Sequence, residues 1–240
     1  MPAEPITRET PRPVGRPTQT QTWRDLTFVH WPVDPALVAP LLPAGTSPDQ
    51  LDGTTYVGLV PFQMYRVGLS TGPATPYVGT FWETNVRLYS VDAHGRRGVV
   101  FRSLDASRLL PVVVGRRGFS LPYIWSSMRV RRDDDHIAYD CWRRGGGPTS
   151  HVNVRIGAPV ENPNLLEEFL TARWGLHVFN RGRTRYIPNE HPPWPLRRAE
   201  LFELDDQLVA AAGLPSVGGD PVSVLYSPGV PVRFGPSIST

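Results

Sequence analysis

The stretch Phe81–Leu104, FWETNVRLYSVDAHGRRGVVFRSL, decides the fold class of this sequence. Two runs rich in β-branched and aromatic residues, Phe81–Val91 and Gly98–Leu104, flank a turn at Asp92–Gly95. Such a pattern is typical of a β-hairpin. The stretch therefore predicts two antiparallel strands, and it directs the search for further strands along the chain.

One face of the first strand carries three polar residues. Because successive side chains of a strand point to opposite faces, Glu83, Asn85 and Arg87 share one face, framed by Phe81 and Tyr89. Two interpretations stay open: this face is solvated on the outside of the sheet, or it lines the cavity of a barrel. In the second case, burial would raise the pKa of the Glu83 carboxyl toward a value useful for proton transfer.

The rest of the chain adds many strands and few helices. Strand patterns cover the segments 23–31, 54–65, 125–132, 136–144, 151–160, 176–187, 222–226 and 230–234. Short helices are predicted after the caps Asp34 and Asn162 and around Asp206–Ala212. Nine or ten strands against three short helices, without βαβ alternation, favour a mainly β (α+β) fold, an antiparallel closed or cone-shaped β-barrel.

The composition excludes several mechanisms. The 240 residues include 27 prolines and 22 glycines, which leave little room for long helices. All 25 Lys/Arg side chains are arginines, so no lysine can form an imine with a carbonyl substrate, hold pyridoxal phosphate or act in a phosphate loop. No dinucleotide fingerprint or nucleophile elbow is found, so no cofactor is predicted.

Charge and hydropathy limit the partners. The net charge is only +3, and the arginine pairs are spread over separate turns, so no nucleic-acid partner is predicted. No segment approaches 18 consecutive apolar residues, so no membrane partner is predicted either. The expected partner is a small-molecule ligand, and a homo-oligomer is compatible with the sequence.

The chain is divided into a leader and one domain. Residues 1–20 are predicted to be a disordered, Pro-rich leader, and residues 21–240 a single β-barrel domain. The leader lacks the apolar core of a secretory signal. Cys141 is the lone cysteine, which excludes an intrachain disulfide and favours a cytoplasmic location.

Several single residues have both a functional and a structural interpretation. The six histidines, among them His30 and His191, show no metal-ligand spacing, so no metal site is predicted. Prolines on both sides of Trp194 hold it on an extended segment, either as a plug over an opening of the sheet or as a packing strap, which is preferred. Tyr123, after Pro122, could donate a hydrogen bond to a carbonyl oxygen or be an ordinary buried tyrosine.

Several of these segments together resemble a known family. They are HWPVDPALVAPLLPAG from His30, ETNVRLYS from Glu83, FRSLDASRLLPVVVGRRGFSLPY from Phe101, EEFLTARW from Glu167, and HPPWPLRRAEL from His191 followed by AAAGLP. In this order they resemble the bacterial, uncharacterised DUF2071 (YqjF-like) family over most of the chain. The resemblance implies the fold of acetoacetate decarboxylase, an antiparallel β-barrel or cone around a largely apolar pocket.

The resemblance also shows which reactive groups are missing. Where the decarboxylases have a G-x-P-K segment with an imine-forming lysine, this sequence has Ser120–Tyr123, with tyrosine in the lysine position. Their substrate-facing arginine corresponds to Pro32, and a glutamate that faces their pocket corresponds to Glu83. The resemblance therefore implies a similar pocket without the imine reaction.

The sequence thus supports two functional hypotheses. In the first, the protein binds a small, mostly apolar, carbonyl-containing molecule, with Glu83 as general acid or base and Tyr123 polarising the carbonyl. Asn85, His191 and Trp194 are expected to contact the ligand, and Arg87 or His30 to position an anionic group. In the alternative, the protein is a non-catalytic carrier or sensor of a small molecule.

Overall fold

The computed structural model describes residues 1–69, 79–109, 121–215 and 217–240. Expectations for the loop after Gly68 and for the segment 112–120 lie largely outside the described residues. The strands are β1 (Gln19–Val33), β2 (Thr46–Pro48), β3 (Thr55–Leu69), β4 (Phe81–Asp92), β5 (Arg97–Ala106), β6 (Tyr123–Asp133), β7 (His136–Arg143), β8 (Thr149–Pro159), β9 (Gly175–Asn180), β10 (Arg183–Glu190), β11 (Arg197–Asp206), β12 (Ser223–Phe234) and β13 (Ile238–Ser239). The helices are α1 (Pro35–Val38), a 3-10 turn (Ala39–Leu41), α2 (Leu165–Thr171) and α3 (Leu208–Ala211).

Nine strands form a closed barrel. Their order is β5-β6-β7-β8-β11-β12-β1-β3-β4, and β4 pairs again with β5. The neighbours are antiparallel except for β5 and β6, which run parallel from the pair Leu104–Tyr123 to the pair Ala106–Trp125. A parallel pair needs a crossover connection rather than a tight turn, and the chain between Ala106 and Tyr123 provides its length. The barrel is therefore mixed, and the antiparallel pattern predicted from the sequence is wrong at this one pair.

The sheet branches at two strands. β5 pairs with β6 at Leu104 but with β9 at Val99, and β12 pairs with β11 at Tyr226 but with β10 at Phe234. As a result, β9 and β10 close a second, smaller ring with β12, β1, β3, β4 and β5. The strands shared by the two rings are covered on both faces.

The two faces of the shared strands have different contents. One buried apolar cluster, with Val29, Leu59, Val86, Ile137 and Val154, joins strands around the nine-stranded barrel and fills its interior. Full burial of such a side chain contributes roughly 1.5–3 kcal/mol. The opposite face of β1, β3 and β4 lies inside the smaller ring, where the packing is incomplete and a cavity remains.

The helices begin at side-chain caps. The Asp34 carboxylate accepts a hydrogen bond from the amide of Ala36, which confirms the predicted start of α1. Helix α2, by contrast, is capped by Asn164 and not by Asn162, because Asn164 and Glu167 form a reciprocal capping box. Among the described residues, no helix is long and apolar enough to cross a membrane.

The segment before β1 corresponds to the proline-rich leader that the sequence predicts to be disordered. It has no helix or strand before Gln19, but it contacts the body of the protein. Arg12 donates a hydrogen bond of 2.9 Å to the Tyr186 hydroxyl, and the amide of Val14 donates one of 2.6 Å to Glu190. These polar contacts hold an extended, proline-rich segment on the surface.

Candidate functional site

A cavity of about 710 Å³ lies within the smaller ring. This volume falls in the range of roughly 300–1,000 Å³ typical of small-molecule sites. Its walls are mostly apolar and include Trp23, Leu26, Phe28, Val60, Phe62, Met64, Phe81, Phe101, Leu104, Leu176, Val178, Ile187, Trp194 and Phe234. The cavity is therefore suited to a ligand whose surface is largely hydrocarbon.

The polar face of β4 lines this cavity. Phe81, Glu83, Asn85 and Arg87 all contribute to the wall, while the alternate residue Val86 packs inside the nine-stranded barrel. Neither face of this part of β4 is solvated. Of the two interpretations that the alternation left open, the geometry of the cavity matches the second.

Glu83 is the carboxyl group of the cavity wall. Only 2% of its surface is exposed, and burial raises the pKa of this carboxyl to about 8, although hydrogen bonding with Tyr123 and Asn85 lowers it in part. Its Oε2 has no hydrogen-bond partner among the described residues. At neutral pH Glu83 is thus mainly protonated, and one of its oxygens makes no hydrogen bond within the described residues.

Tyr123 reaches Glu83 through the pairing of three strands. Leu104 pairs with Asn85 on one side and with Tyr123 on the other, so these residues lie at one level of the sheet. Burial, and after it the nearby Glu83, raise the pKa of the Tyr123 hydroxyl well above its ordinary value. Tyr123 therefore keeps its proton and can donate a hydrogen bond within the cavity. Ser120, which the sequence placed beside it, lies outside the described residues.

Arg87 and Arg185 both line the cavity, and Arg87 is the buried one of the two, with 8% of its surface exposed. Its Nε donates to the Tyr89 hydroxyl at 3.3 Å and its Nη2 to the carbonyl oxygen of Leu170 at 2.8 Å. No carboxylate within the described ranges forms an ion pair with it. A buried guanidinium without a carboxylate partner is costly unless another anion is bound.

Two further arginines add positive charge behind Arg87. Arg173 and Arg97 share a single carboxylate, that of Asp49, and the guanidinium of Arg173 lies 4.5 Å from the centre of the Tyr89 ring. At this end of the smaller ring of strands, three guanidinium groups therefore lie near a single carboxylate, that of Asp49. The excess charge favours an anion at the Arg87 end of the cavity, which is the closed end because the fully buried Tyr89 and His30 lie beneath it.

His30 lies beneath the cavity and not in its wall. Its Nε2 is hydrogen-bonded to the Tyr89 hydroxyl at 2.7 Å, and complete burial, followed by the charges of Arg87 and Arg173, lowers the pKa of the imidazole well below 6.5. His30 is thus neutral. It supports Tyr89 and lacks the charge needed to position an anion itself.

His191 and Trp194 behave differently from each other. The Trp194 ring lines the cavity and stacks on Trp23 with 5.9 Å between ring centres. His191 does not line the cavity but packs behind its wall, on Trp174 at 4.5 Å and on Trp194 at 4.8 Å, and burial lowers its pKa to about 4. Trp194 is therefore a wall residue held on a packing strap, and His191 belongs to the strap only.

The end of helix α2 anchors this side of the site. Leu170 O accepts from Arg87 and from the Tyr89 hydroxyl, and Thr171 O accepts a hydrogen bond of 2.9 Å from Trp194 Nε1. The last carbonyl groups of a helix lack partners within the helix, and here residues of the cavity wall and floor satisfy them. The sequence predicted the helix but could not show this contact.

A buried serine, histidine and aspartate also come together, outside the cavity. Ser90 Oγ lies 2.8 Å from His177 Nδ1, and Asp92 Oδ2 lies 3.4 Å from His177 Nε2. All three are buried and none lines the cavity. The cluster holds β4 against β9, and it has no access to a ligand.

The structure also identifies wall residues that the sequence did not. Gln21, Trp23 and Phe28 from β1 line the cavity. Alternation relates Gln21 to Trp23, but Phe28 shares their face only because the strand is irregular at Asp25, where the register shifts. Within residues 1–69, 79–109, 121–215 and 217–240, no group of three or more His, Cys, Asp or Glu side chains could hold a metal ion.

Comparison with known proteins gives one family and one fold. A model of DUF2071, described as an uncharacterized conserved protein, matches residues 20–231. The uncharacterized protein YqjF of Bacillus subtilis (strain 168) is 32% identical over 205 residues, which cover 84% of each chain.

The solved structures that match are more distant in sequence. An acetoacetate decarboxylase-like enzyme from Sphingomonas wittichii RW1 has a TM-score of 0.65 at 14% identity, over 96% of each chain. The enduracididine biosynthesis enzyme MppR complexed with pyruvate has a TM-score of 0.65 at 16% identity, over 93% of this chain and 90% of the other. Acetoacetate decarboxylase from Legionella pneumophila has a TM-score of 0.62 at 15% identity, over 96% and 92%. At these identities the likeness establishes the fold alone.

Proposed function

The chain belongs to the DUF2071 family and has an acetoacetate decarboxylase-like fold, and from this premise we propose that it binds a small, mostly apolar carbonyl compound and catalyses proton transfer on it. One observation carries the proposal: a buried carboxyl group with a pKa of about 8, Glu83, faces a largely apolar cavity of about 710 Å³. A group with a pKa near the working pH can both give and take a proton.

The proposed chemistry needs no imine, since the sequence has no lysine. The Glu83 carboxylate removes a proton from the carbon next to the carbonyl group, and the bonding electrons move to the carbonyl oxygen. Tyr123 donates a hydrogen bond to that oxygen, and the protonated Glu83 then returns its proton to carbon. General acid–base catalysis of this kind contributes roughly 10²–10⁴-fold in rate.

Arg87 is the group we assign to an anionic part of the ligand. It lines the cavity, has no carboxylate partner among the described residues, and lies beside the two guanidinium groups that share Asp49. The neutral His30 does not compete for this role. The preferred ligand is therefore a carbonyl compound that carries a carboxylate.

Proton exchange tests the proposal. The protein is incubated with 5-oxohexanoate in deuterated water, and the loss of the proton signals next to the ketone is followed by NMR. We expect exchange that falls by at least 100-fold in Glu83→Gln, which keeps the shape of the side chain but not its proton. Glu200→Gln is the matched control. Glu200 is an exposed residue of β11 that forms an ion pair with Arg155 of β8.

The other outcomes are equally informative. Binding without exchange in the unchanged protein would support the second candidate, a non-catalytic carrier or sensor, which is favoured by the aromatic stack of Trp23 and Trp194 in the cavity wall. Absence of binding to carbonyl compounds would contradict the first candidate.

We also propose a cytoplasmic location. Cys141 is a buried free thiol, which suits a reducing compartment. Fractionation of the native host, with detection by antibody, tests this location directly.

A further inference from the structure

The buried carboxyl group and the buried guanidinium group of the cavity wall lie at separate levels along one strand. Glu83 and Arg87 share a face of β4 and are four residues apart. A strand rises about 3.4 Å per residue, so their Cα atoms are roughly 13 Å apart along it. The group that exchanges protons and the group that binds an anion therefore do not converge on one point.

The contacts of Arg87 keep it away from Glu83. Its Nε is bonded to Tyr89, the next residue on the same face and the one further from Glu83, and its Nη2 to Leu170 O. A guanidinium group has five N–H donors, so others remain for a ligand. An anion bound by Arg87 consequently lies at the closed end of the cavity, below Asn85.

The wall between the two levels is mainly apolar. Phe28 faces the guanidinium of Arg87, with 5.4 Å from its ring centre to the guanidinium carbon, and Val60 and Phe101 line the same cavity. Asn85 is the one polar residue of β4 between the two levels, and its amide is already directed at Glu83. The part of a ligand that spans this distance is therefore mainly hydrocarbon, and the one acceptor of β4 beside it is Asn85 Oδ1, which has no hydrogen-bond partner among the described residues.

We propose that the ligand is a medium-chain oxo acid whose carbonyl carbon lies at position 5 or beyond, counted from the carboxylate. This inference rests on the proposed function and adds the substrate class. If each side chain leans toward the other by about the rise of one strand residue, roughly 7 Å remain between the Glu83 carboxyl group and the Arg87 guanidinium group. A carbon–carbon bond is about 1.5 Å long, so four bonds cover about 6 Å of this distance and the hydrogen bonds at the two ends cover the rest. Four bonds between the carboxyl carbon and the carbonyl carbon are therefore the minimum.

The proposal distinguishes between ligands of equal size. In a 2-oxo acid, the carboxylate and the ketone are adjacent, so only one of the two can reach its partner in the cavity. In a 5-oxo or 7-oxo acid of the same length, the carboxylate reaches Arg87 while the ketone reaches Glu83 and Tyr123. Volume and hydrophobicity are matched between such isomers, so a difference in affinity reports the spacing alone.

Calorimetric titration of the full chain with these isomers is the test. The probes are 2-oxooctanoate, 5-oxooctanoate and 7-oxooctanoate, with octanoate and octan-2-one as compounds that lack one of the two groups. We expect 5-oxooctanoate or 7-oxooctanoate to bind at least tenfold more tightly than 2-oxooctanoate and both reference compounds. This ranking is measured on the unchanged protein and does not depend on the folding of any variant.

Variants then locate the carboxylate. Arg87→Met should reduce the affinity for 5-oxooctanoate and 7-oxooctanoate to that for octan-2-one, whose own affinity should stay the same. Arg183→Met, on the exposed β9–β10 hairpin, is the matched control. Arg185 also lines the cavity. If Arg185→Met removes the preference for carboxylates and Arg87→Met does not, the assignment of the ligand carboxylate to Arg87 is wrong.

The failures of the two proposals are distinguishable. If 2-oxooctanoate binds as tightly as the other isomers or more tightly, the two polar groups act at one point and the spacing inference is wrong, while the proposed function stands. If none of the carbonyl compounds binds, the proposed function itself is wrong.

Discussion

The phenol oxygen of Tyr89 lies 2.7 Å from Nε2 of His30 beneath the closed end of the cavity. The same oxygen accepts from Arg87 Nε and donates to Leu170 O at 2.8 Å. Because the Tyr89 hydroxyl donates its own proton to Leu170 O, the proton between Tyr89 and His30 is carried by His30 Nε2. The other ring nitrogen, His30 Nδ1, is then unprotonated and can only accept a hydrogen bond. One hydroxyl group therefore connects the polar floor of the cavity into a single network.

Tyr89→Phe tests this network. The change leaves a buried histidine nitrogen and an arginine N–H without their partner, which costs about 1–3 kcal/mol in the free energy of unfolding. We expect weaker binding of carboxylates and unchanged binding of neutral ketones, because only Arg87 loses its support. Urea unfolding and calorimetry measure the two effects, and Tyr65→Phe, on a half-buried tyrosine outside this network, is the control.

Gly58→Ala tests the packing under Arg87. A Cβ atom at this position would lie 2.9 Å from His30 Nε2 and 3.3 Å from Arg87 Cγ, so the two side chains must shift. Overpacking of this kind typically costs about 1–3 kcal/mol. Thermal unfolding should show the loss for Gly58→Ala but not for Gly218→Ala, where nothing lies within 4 Å. Equal stability of the two variants would contradict the packing described.

Trp194→Ala tests the aromatic wall. The variant loses the stack on Trp23 and the hydrogen bond to Thr171 O. Because Trp194 is half-buried, the cost should be smaller than the roughly 3–5 kcal/mol typical of a fully buried aromatic side chain. We expect a lower unfolding temperature and at least tenfold weaker binding of 5-oxooctanoate. Trp142→Ala, an exposed tryptophan outside the cavity wall, should change neither. Trp194→Phe should restore part of the binding.

Stability should fall as the pH rises, because of Glu83. Its pKa rises from 4.5 in the unfolded chain to about 8 in the folded protein, so the native state holds the proton more tightly. The stabilisation is complete below pH 4.5 and is lost progressively up to pH 8. At about 1.4 kcal/mol per unit, the loss is on the order of 4 kcal/mol. Urea unfolding at pH 5 and pH 8.5 should show this difference relative to Glu83→Gln, and equal pH profiles of the two proteins would contradict it.

The sequence was a good guide where one strand or one cap determines the structure. The alternation along Phe81–Tyr89 correctly separated the two faces of β4, and Asp34 marked the start of α1. It could not show that both faces of β4 are buried, because this depends on β9 and β10, which are far away in the sequence. The strand Arg197–Asp206 was missed because its alternation of charged and apolar residues is short and follows a proline-rich segment.

The candidate site was predicted in part for the same reason. Glu83, Asn85 and Arg87 lie on one strand, so a local pattern brought them together. The pairing of Leu104 with Tyr123 is parallel and non-local, so the position of Tyr123 after Pro122 indicated a possible donor but could not show that it lies beside Glu83. The contact of Arg173 with Asp49, 124 residues apart, carries no signal in a single sequence. The proline after Asn162 favours a helix cap at that residue. Glu167, three residues beyond Asn164, is the stronger signal, because it forms the capping box with Asn164.

The most direct test of the account is the pKa of the Glu83 carboxyl in the free protein. The carboxyl carbons of glutamate are labelled with ¹³C, and the spectrum is recorded from pH 3 to pH 10, with Glu83→Gln used to assign the signal. We expect a transition at about pH 8 that moves when 5-oxooctanoate is added. A Glu83 signal that titrates below pH 5 and does not respond to ligand would show that this carboxyl is neither buried in the cavity nor available for proton transfer at neutral pH.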